Sequence, residues 1–153
     1  MKPNGPNLTI NKVVRMAQAF INCRLRPIGL SSGLFYFILE LMEHDGLSMQ
    51  ELSRAVLVDN GYTTRAVKML VDRGYVRKRI DSEDSRSYRI FLTAKGRKTS
   101  SDIQGALLEW AELITEGVSE EEIGVLHQVF DKYYENAKRN FEGAHPDSAR
   151  GGQ

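Results

Sequence analysis

Between Leu70 and Gly96 the chain reads LVDRGYVRKRIDSEDSRSYRIFLTAKG, and this stretch leaves few choices of backbone. A helical apolar spacing runs out at Gly74, where a glycine closes a helix in the left-handed conformation without a steric penalty. Tyr75 to Ile80 and Tyr88 to Thr93 then tend to alternate apolar and polar residues, as paired strands do. Tyr88, Ile90 and Leu92 share one side; Arg89, Phe91 and Thr93 share the other. The intervening Asp81 to Ser87 is wholly polar and too long for a two-residue hairpin turn, so a projecting, flexible loop is expected. The stretch is therefore a helix exit followed by a basic β-hairpin.

The flanking sequence is helical. Met1 to Asn7 holds two prolines, a glycine and two asparagines and is expected to be loose. Leu8 to Leu25 carries Val13, Val14, Ala17, Phe20 and Ile21 at helical spacing, ended by Pro27 and Gly29. Ser31 or Ser32 is expected to cap a second helix. Its residues Leu34, Phe35, Ile38, Leu41 and Met42 leave almost no polar face, which predicts a central position. Ser48 to Glu51 forms a capping box for a short third helix to about Val56. Asp59 is the expected cap of a fourth, running to Arg73, with Ala66, Val67 and Leu70 inward and Tyr62, Thr64, Arg65, Lys68 and Met69 outward. Two helices joined by a short turn, then a basic hairpin, predict a winged helix-turn-helix.

After the hairpin, Thr93 is expected to cap a fifth helix with the stripe Ile103, Ala106, Leu107, Trp110, Leu113 and Ile114. A second capping box, Ser119 to Glu122, starts a last helix with Ile123, Leu126, Val129, Phe130, Tyr133 and Ala137. The fold class is mainly α with a small β-hairpin wing. The expected organisation is a flexible 1–7, a single domain over 8–142 and a disordered tail over 143–153. Residues 31–96 are the winged-helix region. Helices in 8–30 and 97–142 carry apolar stripes that a compact winged helix cannot cover, so they are expected to make a dimer.

Charge supports a polyanion partner. Residues 54–98 hold twelve Lys/Arg against five Asp/Glu, a net +7 on a chain of net +1. A basic block on an otherwise acidic chain marks one face for such a partner, with ordinary surface scatter as the alternative. No apolar run approaches the roughly 18 residues of a membrane span, and MKPNGPNLT lacks the pattern of a secretory signal, so a cytoplasmic protein is expected. The single cysteine, Cys23, fits a reducing compartment and reads as a buried, inert thiol. Its neighbours Arg24 and Arg26 would lower a thiol pKa only if it were exposed.

Leu70-x-x-x-Gly74-Tyr-Val76 beside Arg77, Asp81-x-x-Asp84-x-Arg86 and Leu92-Thr93-x-x-Gly96 together resemble the multiple-antibiotic-resistance regulator (MarR) family of transcription factors. The helix order agrees, and the resemblance covers roughly residues 8–142. It implies an obligate dimer, triangular in outline, with interleaved terminal helices, bound to double-stranded DNA at a pseudo-palindromic operator. It implies a regulator, usually a repressor, released by a small ligand or other signal.

A helix in the major groove can tell base pairs apart by their edges. Asn60, Tyr62, Thr64, Arg65 and Lys68 suit that task. Arg65 can clamp a guanine or a phosphate, Lys68 suits a phosphate, and Tyr62 has packing against the wing as its alternative. By resemblance Arg86 enters or flanks the minor groove, where negative potential favours a guanidinium. Asp84 is expected to shape the wing by pairing with an arginine, Arg86 or Arg77. Arg77, Lys78, Arg79 and Arg89 supply phosphate charge, although alternating strand positions cannot all face DNA. A small anionic effector would, by resemblance, meet Arg15, Arg24, Phe35 and Tyr36. His44, His127 and His145 are scattered, so no metal site is expected; no cofactor and no catalytic set is expected either. A winged helix serving only as a protein-interaction module is the competing class.

Overall fold

The computed structural model describes residues 5–30 and 33–144. The expected cap at Ser31 or Ser32, residues 1–4 and the tail over 145–153 lie outside the described residues. The chain divides into two compact units, the first ending at Trp110 and the second starting at Ala111.

In the first unit, helix α1 spans Pro6–Leu25 and is followed by a 3-10 turn, Arg26–Ile28. The helix starts two residues before the expected Leu8 because Pro6 sits in its first turn, where its missing N–H costs nothing. Gly29, at φ 73°, turns the chain toward α2, Leu34–Glu43. Leu34, Phe35, Phe37, Ile38 and Leu41 are all buried, which makes α2 the centre of the core as its composition predicts. Helix α3, Met49–Ala55, has the full capping box: Ser48 Oγ accepts from Glu51 N–H, and the Glu51 carboxylate accepts from Ser48 N–H. Helix α4, Asn60–Asp72, is capped by Asp59. The turn between α3 and α4 is closed by the Ser53 hydroxyl on the Val58 carbonyl, 2.7 Å away, and it holds Leu57 at φ 59°.

The sheet has three strands, where the sequence suggests two. Strand β1, Leu47–Ser48, pairs antiparallel with β3, Tyr88–Leu92, which also pairs with β2, Val76–Ile80. A two-residue strand has no periodicity to recognise; it exists because Gly46, at φ 85°, lets its N–H reach the Ile90 carbonyl. Ile90 and Leu92 are buried, but Tyr88 is not, and in β2 only Val76 is buried. Strand β2 thus leaves the core after Val76, while β3 keeps Ile90 and Leu92 inward, so alternation marks an inner and an outer face on β3 but not along β2.

The fifth helix of the sequence reading is two helices: α5, Ala94–Lys98, and α6, Ser100–Ile114. The apolar stripe begins at Ile103, after the break, so it marks only the second of the two helices. The Thr99, Ser100 and Ser101 hydroxyls bond back to the carbonyls of Lys95, Arg97 and Lys98, a competition with the helix ladder that bends helices. Ile103 and Ala106 are buried in the common core.

The second unit holds the end of α6 and the long helix α7, Glu120–Ala144, so the described helix passes beyond Gly143, where a tail is expected to begin. Ser119 and Glu122 make the second capping box, which holds the Glu122 carboxyl below its usual range chiefly through the Ser119 backbone N–H. Leu113, Ile114, Leu126, Val129, Phe130 and Tyr133 are exposed.

Candidate nucleic-acid interface

Helix α4 is built so that one side is core and the other is free. Thr63, Ala66, Val67 and Leu70 are buried, while Asn60, Thr64, Arg65 and Lys68 are exposed. The Asp59 carboxylate accepts from the Tyr62 N–H at 2.7 Å and so rigidifies the first turn, where the exposed polar groups begin. Thr64 donates to the Asn60 carbonyl at 2.8 Å, and Lys68 pairs with Asp72 at 2.8 Å. Arg65 lies 6.0 Å from the Tyr62 ring centroid and is otherwise directed outward. Tyr62 is half-buried and stacks on Phe37, with centroids 6.2 Å apart. Its packing partner is therefore α2, not the wing.

The exit of α4 explains the Gly74-Tyr and Leu92-Thr-x-x-Gly spacings. Gly74, at φ 74°, donates to the Val71 carbonyl and Tyr75 N–H donates to the Leu70 carbonyl, which together close the helix. Thr93 then locks α5 beneath this exit. Its hydroxyl donates to the Gly74 carbonyl at 2.6 Å and accepts from the Gly96 N–H at 3.1 Å. A Cβ at Gly96 would overlap the Tyr75 carbonyl oxygen, so no other residue fits. Asp45 ties the other end of the hairpin base, accepting from Leu92 N–H at 2.9 Å and pairing with Arg97.

In the wing, Arg77, Lys78, Arg79 and Arg86 are exposed, with Arg79 lying 5.4 Å over the Phe91 ring. Arg89 is different. Its Nε donates to Asp81 at 2.6 Å, its Nη1 donates to the Gly46 carbonyl at 3.0 Å, and Glu51 lies 3.5 Å away. The guanidinium expected to serve a phosphate is thus engaged by the protein's own acceptors, on the wing, beside β1 and on α3, while its side chain stays partly exposed. Asp84 also departs from expectation. Its carboxylate accepts the Arg86 backbone N–H at 2.9 Å, because a short aspartate side chain reaches two residues along its own turn more readily than it reaches a guanidinium. Asp81 makes the matching turn with the Glu83 N–H. These turns, with Asp81 N–H on the Ser87 carbonyl, brace a loop expected to be flexible. The Glu83 N–H and then Arg89 hold the Asp81 carboxyl below its usual range, against desolvation that pushes it up. Glu51 is lowered too, first by Ser48.

Of the residues suggested for an effector, Phe35 and Tyr36 are in ring contact, with centroids 4.0 Å apart. Phe35 is fully buried, Arg15 and Tyr36 are exposed, and Arg24 pairs with Glu109 while lying 5.0 Å over the Phe20 ring. Cys23 is exposed in this chain rather than buried, because it lies two residues from both Ile21 and Leu25 and so on the side of the helix opposite their inward line. His44 sits 3.2 Å from Glu40, and among the described residues no acidic, histidine or cysteine group is arranged to hold a metal. Among the described residues, no helix is long and apolar enough to cross a membrane.

A helix-turn-helix with a free polar face on its second helix, backed by a braced basic hairpin, defines a winged helix-turn-helix protein. The pattern of the MarR family matches residues 30–88. The transcriptional regulator BilQ of Clostridium symbiosum is 33% identical over 113 residues, 74% of this chain and 78% of that protein. A MarR transcriptional regulator from Methanosarcina mazei superposes with a TM-score of 0.83 at 33% identity, over 87% of this chain and 96% of the other. A putative MarR regulator from Listeria monocytogenes, solved with a 26mer DNA, has the same fold, with a TM-score of 0.85 at 21% identity over 100% and 98% of the two chains. The chain belongs to the MarR family of transcriptional regulators.

Proposed function

We infer that this chain is a homodimeric repressor that binds a pseudo-palindromic operator, with α4 in the major groove and the wing along the adjacent minor groove. The observation that carries it is the outward face of α4, where Asn60, Thr64 and Arg65 stand exposed on a helix start fixed by Asp59. Arg65 reads a base edge, Lys68, Arg77 and Lys78 meet phosphates, and Arg86 meets the minor groove. Tyr62 contributes its half-exposed edge, and Asp84 sets the wing turn. Arg89 holds the wing rather than the DNA. The complex of the Listeria regulator with DNA supports the polyanion partner.

Homodimerisation is supported by apolar side chains left uncovered on α1, at Val13, Val14 and Met16, and on α7, at Leu126, Val129, Phe130 and Tyr133. Residues 8–30 and 97–142 serve that contact, and 31–96 serve DNA. The protein works in the cytoplasm, where its DNA is, and a small effector releases it. Arg15 and Tyr36 remain accessible for that effector, which a thermal-shift screen with phenolic anions would reveal.

Selection of duplexes from a random pool by the full chain, followed by footprinting, tests the reading. The expected result is an enriched sequence with two protected half-sites about 10–10.5 base pairs apart. No enrichment would leave the winged helix as a protein-interaction module, and a single protected half-site would remove the dimer.

A further inference from the structure

The carbonyls of Ile28 and Gly29, at the turn that leaves α1, are both taken by side chains from the far end of α4. Arg73, the residue that caps the C-terminal end of α4, donates to the Gly29 carbonyl, and the hydroxyl of Tyr75, two residues further on, donates to the Ile28 carbonyl. Tyr75 is 2% exposed, so its hydroxyl reaches that carbonyl from within the core. Lys95 closes the junction from the other side. Its ammonium donates to the Arg73 carbonyl at 2.7 Å and stands 4.3 Å over the Tyr75 ring. The turn is itself stiff: Gly29 N–H bonds to the Arg26 carbonyl at 2.9 Å and Leu30 N–H bonds to the Leu25 carbonyl at 3.2 Å. One end of α4 is thus bolted to the exit of α1, while the other carries the reading residues.

We propose that Arg73 and Tyr75 are positioning residues that set the angle of α4 by clamping its C-terminal end to the Ile28–Gly29 turn. This rests on the DNA-binding reading above. At a rise of 1.5 Å per residue, the eleven residues from Tyr62 to Arg73 span about 16 Å, so a tilt of about 5° at the joint displaces the reading end by about 1.4 Å. Hydrogen bonds to base edges tolerate only a few tenths of an ångström. Contacts to phosphates, made by long exposed side chains, accommodate such a shift. The joint therefore sets specificity, not general attraction to DNA.

Tyr75→Phe separates the two, since it removes the hydroxyl and leaves charge and ring in place. The full-length protein would be measured against the duplex selected by the wild type and against random duplex of equal length. The expected result is about a three- to tenfold loss of affinity for the selected duplex, the size of one net hydrogen bond, with random-duplex affinity unchanged. Amide exchange would rise at Gly29 and Leu30 with the melting transition still cooperative. Arg73→Gln, added to Tyr75→Phe, would cost less than the sum of the two single changes. Equal losses on both duplexes, no loss on either, or unaltered exchange at Gly29 and Leu30 would overturn the proposal. Should the wild type select no duplex, the DNA-binding reading fails, and the exchange measurement alone decides whether the joint clamps the turn.

Discussion

Arg86 and Arg89 are three residues apart on one wing, yet Arg89 is held by the protein's own acceptors while the Arg86 side chain is exposed, and Asp81→Asn tests whether the two play the opposite roles proposed for them. Arg89 is anchored at 2.6 Å to Asp81 and 3.0 Å to the Gly46 carbonyl, whereas Asp84 holds the Arg86 backbone and its side chain is exposed. Each backbone charge neutralised adds about 0.9 to the slope of log Kobs against log salt, so if the Arg86 guanidinium displaces counterions where it meets the minor groove, Arg86→Ala in the proposed two-winged dimer should make the slope shallower by about 1.8. Asp81→Asn adds one positive charge per protomer and frees the Arg89 guanidinium. If Arg89 were a phosphate contact, operator binding would tighten and the slope would steepen. If Arg89 braces the wing, operator binding weakens although the protein has become more basic. The assay is a fluorescence-anisotropy titration between about 50 and 200 mM salt, the range over which phosphate contacts dominate the change in affinity. A tighter, steeper Asp81→Asn complex would refute the brace. So would an Arg89→Ala slope as shallow as that of Arg86→Ala.

Other consequences follow from the same geometry. Arg65→Ala should cost roughly 1–3 kcal/mol on the selected duplex if it reads a base, and an equal loss on random DNA would mark a phosphate contact instead. Gly96→Ala should destabilise the fold by about 1–3 kcal/mol, because its methyl collides with backbone rather than with a movable side chain; urea unfolding measures this. Leu57→Asn should stabilise by about 0.5–1 kcal/mol, since Leu57 is exposed and left-handed, a conformation asparagine tolerates better; an unchanged melting temperature would argue against strain in that turn. Asp81, Glu51 and Glu122 all have lowered carboxyl pKa values, so the unfolded chain binds more protons than the folded one. Their contribution is fully present above the ordinary carboxylate values and is lost as pH falls through the lowered ones; Asp81→Asn should therefore flatten the acid limb of a stability–pH curve.

What could be read along the chain is what depends on near neighbours. Both capping boxes, the Asp59 cap and the left-handed Gly74 act within four residues, so spacing alone reveals them. The burial of α2 follows from a composition with no polar face to expose. The helix break at Thr99 had a local signal, three hydroxyl residues in a row, and the apolar stripe begins only after it, at Ile103.

Only the tertiary structure decided which arginines are free. Arg89 reaches Gly46 across 43 positions, Arg73 reaches Gly29 across 44, and Tyr75 reaches Ile28 across 47. A guanidinium left free and one held by the protein's own acceptors look alike in sequence, because the difference lies in acceptors that chain folding brings near. The sequence by itself determined that a basic winged helix would form. The fold determined that part of its charge holds the wing in place, because a carboxylate or carbonyl within hydrogen-bond distance competes for the same N–H groups a phosphate would need.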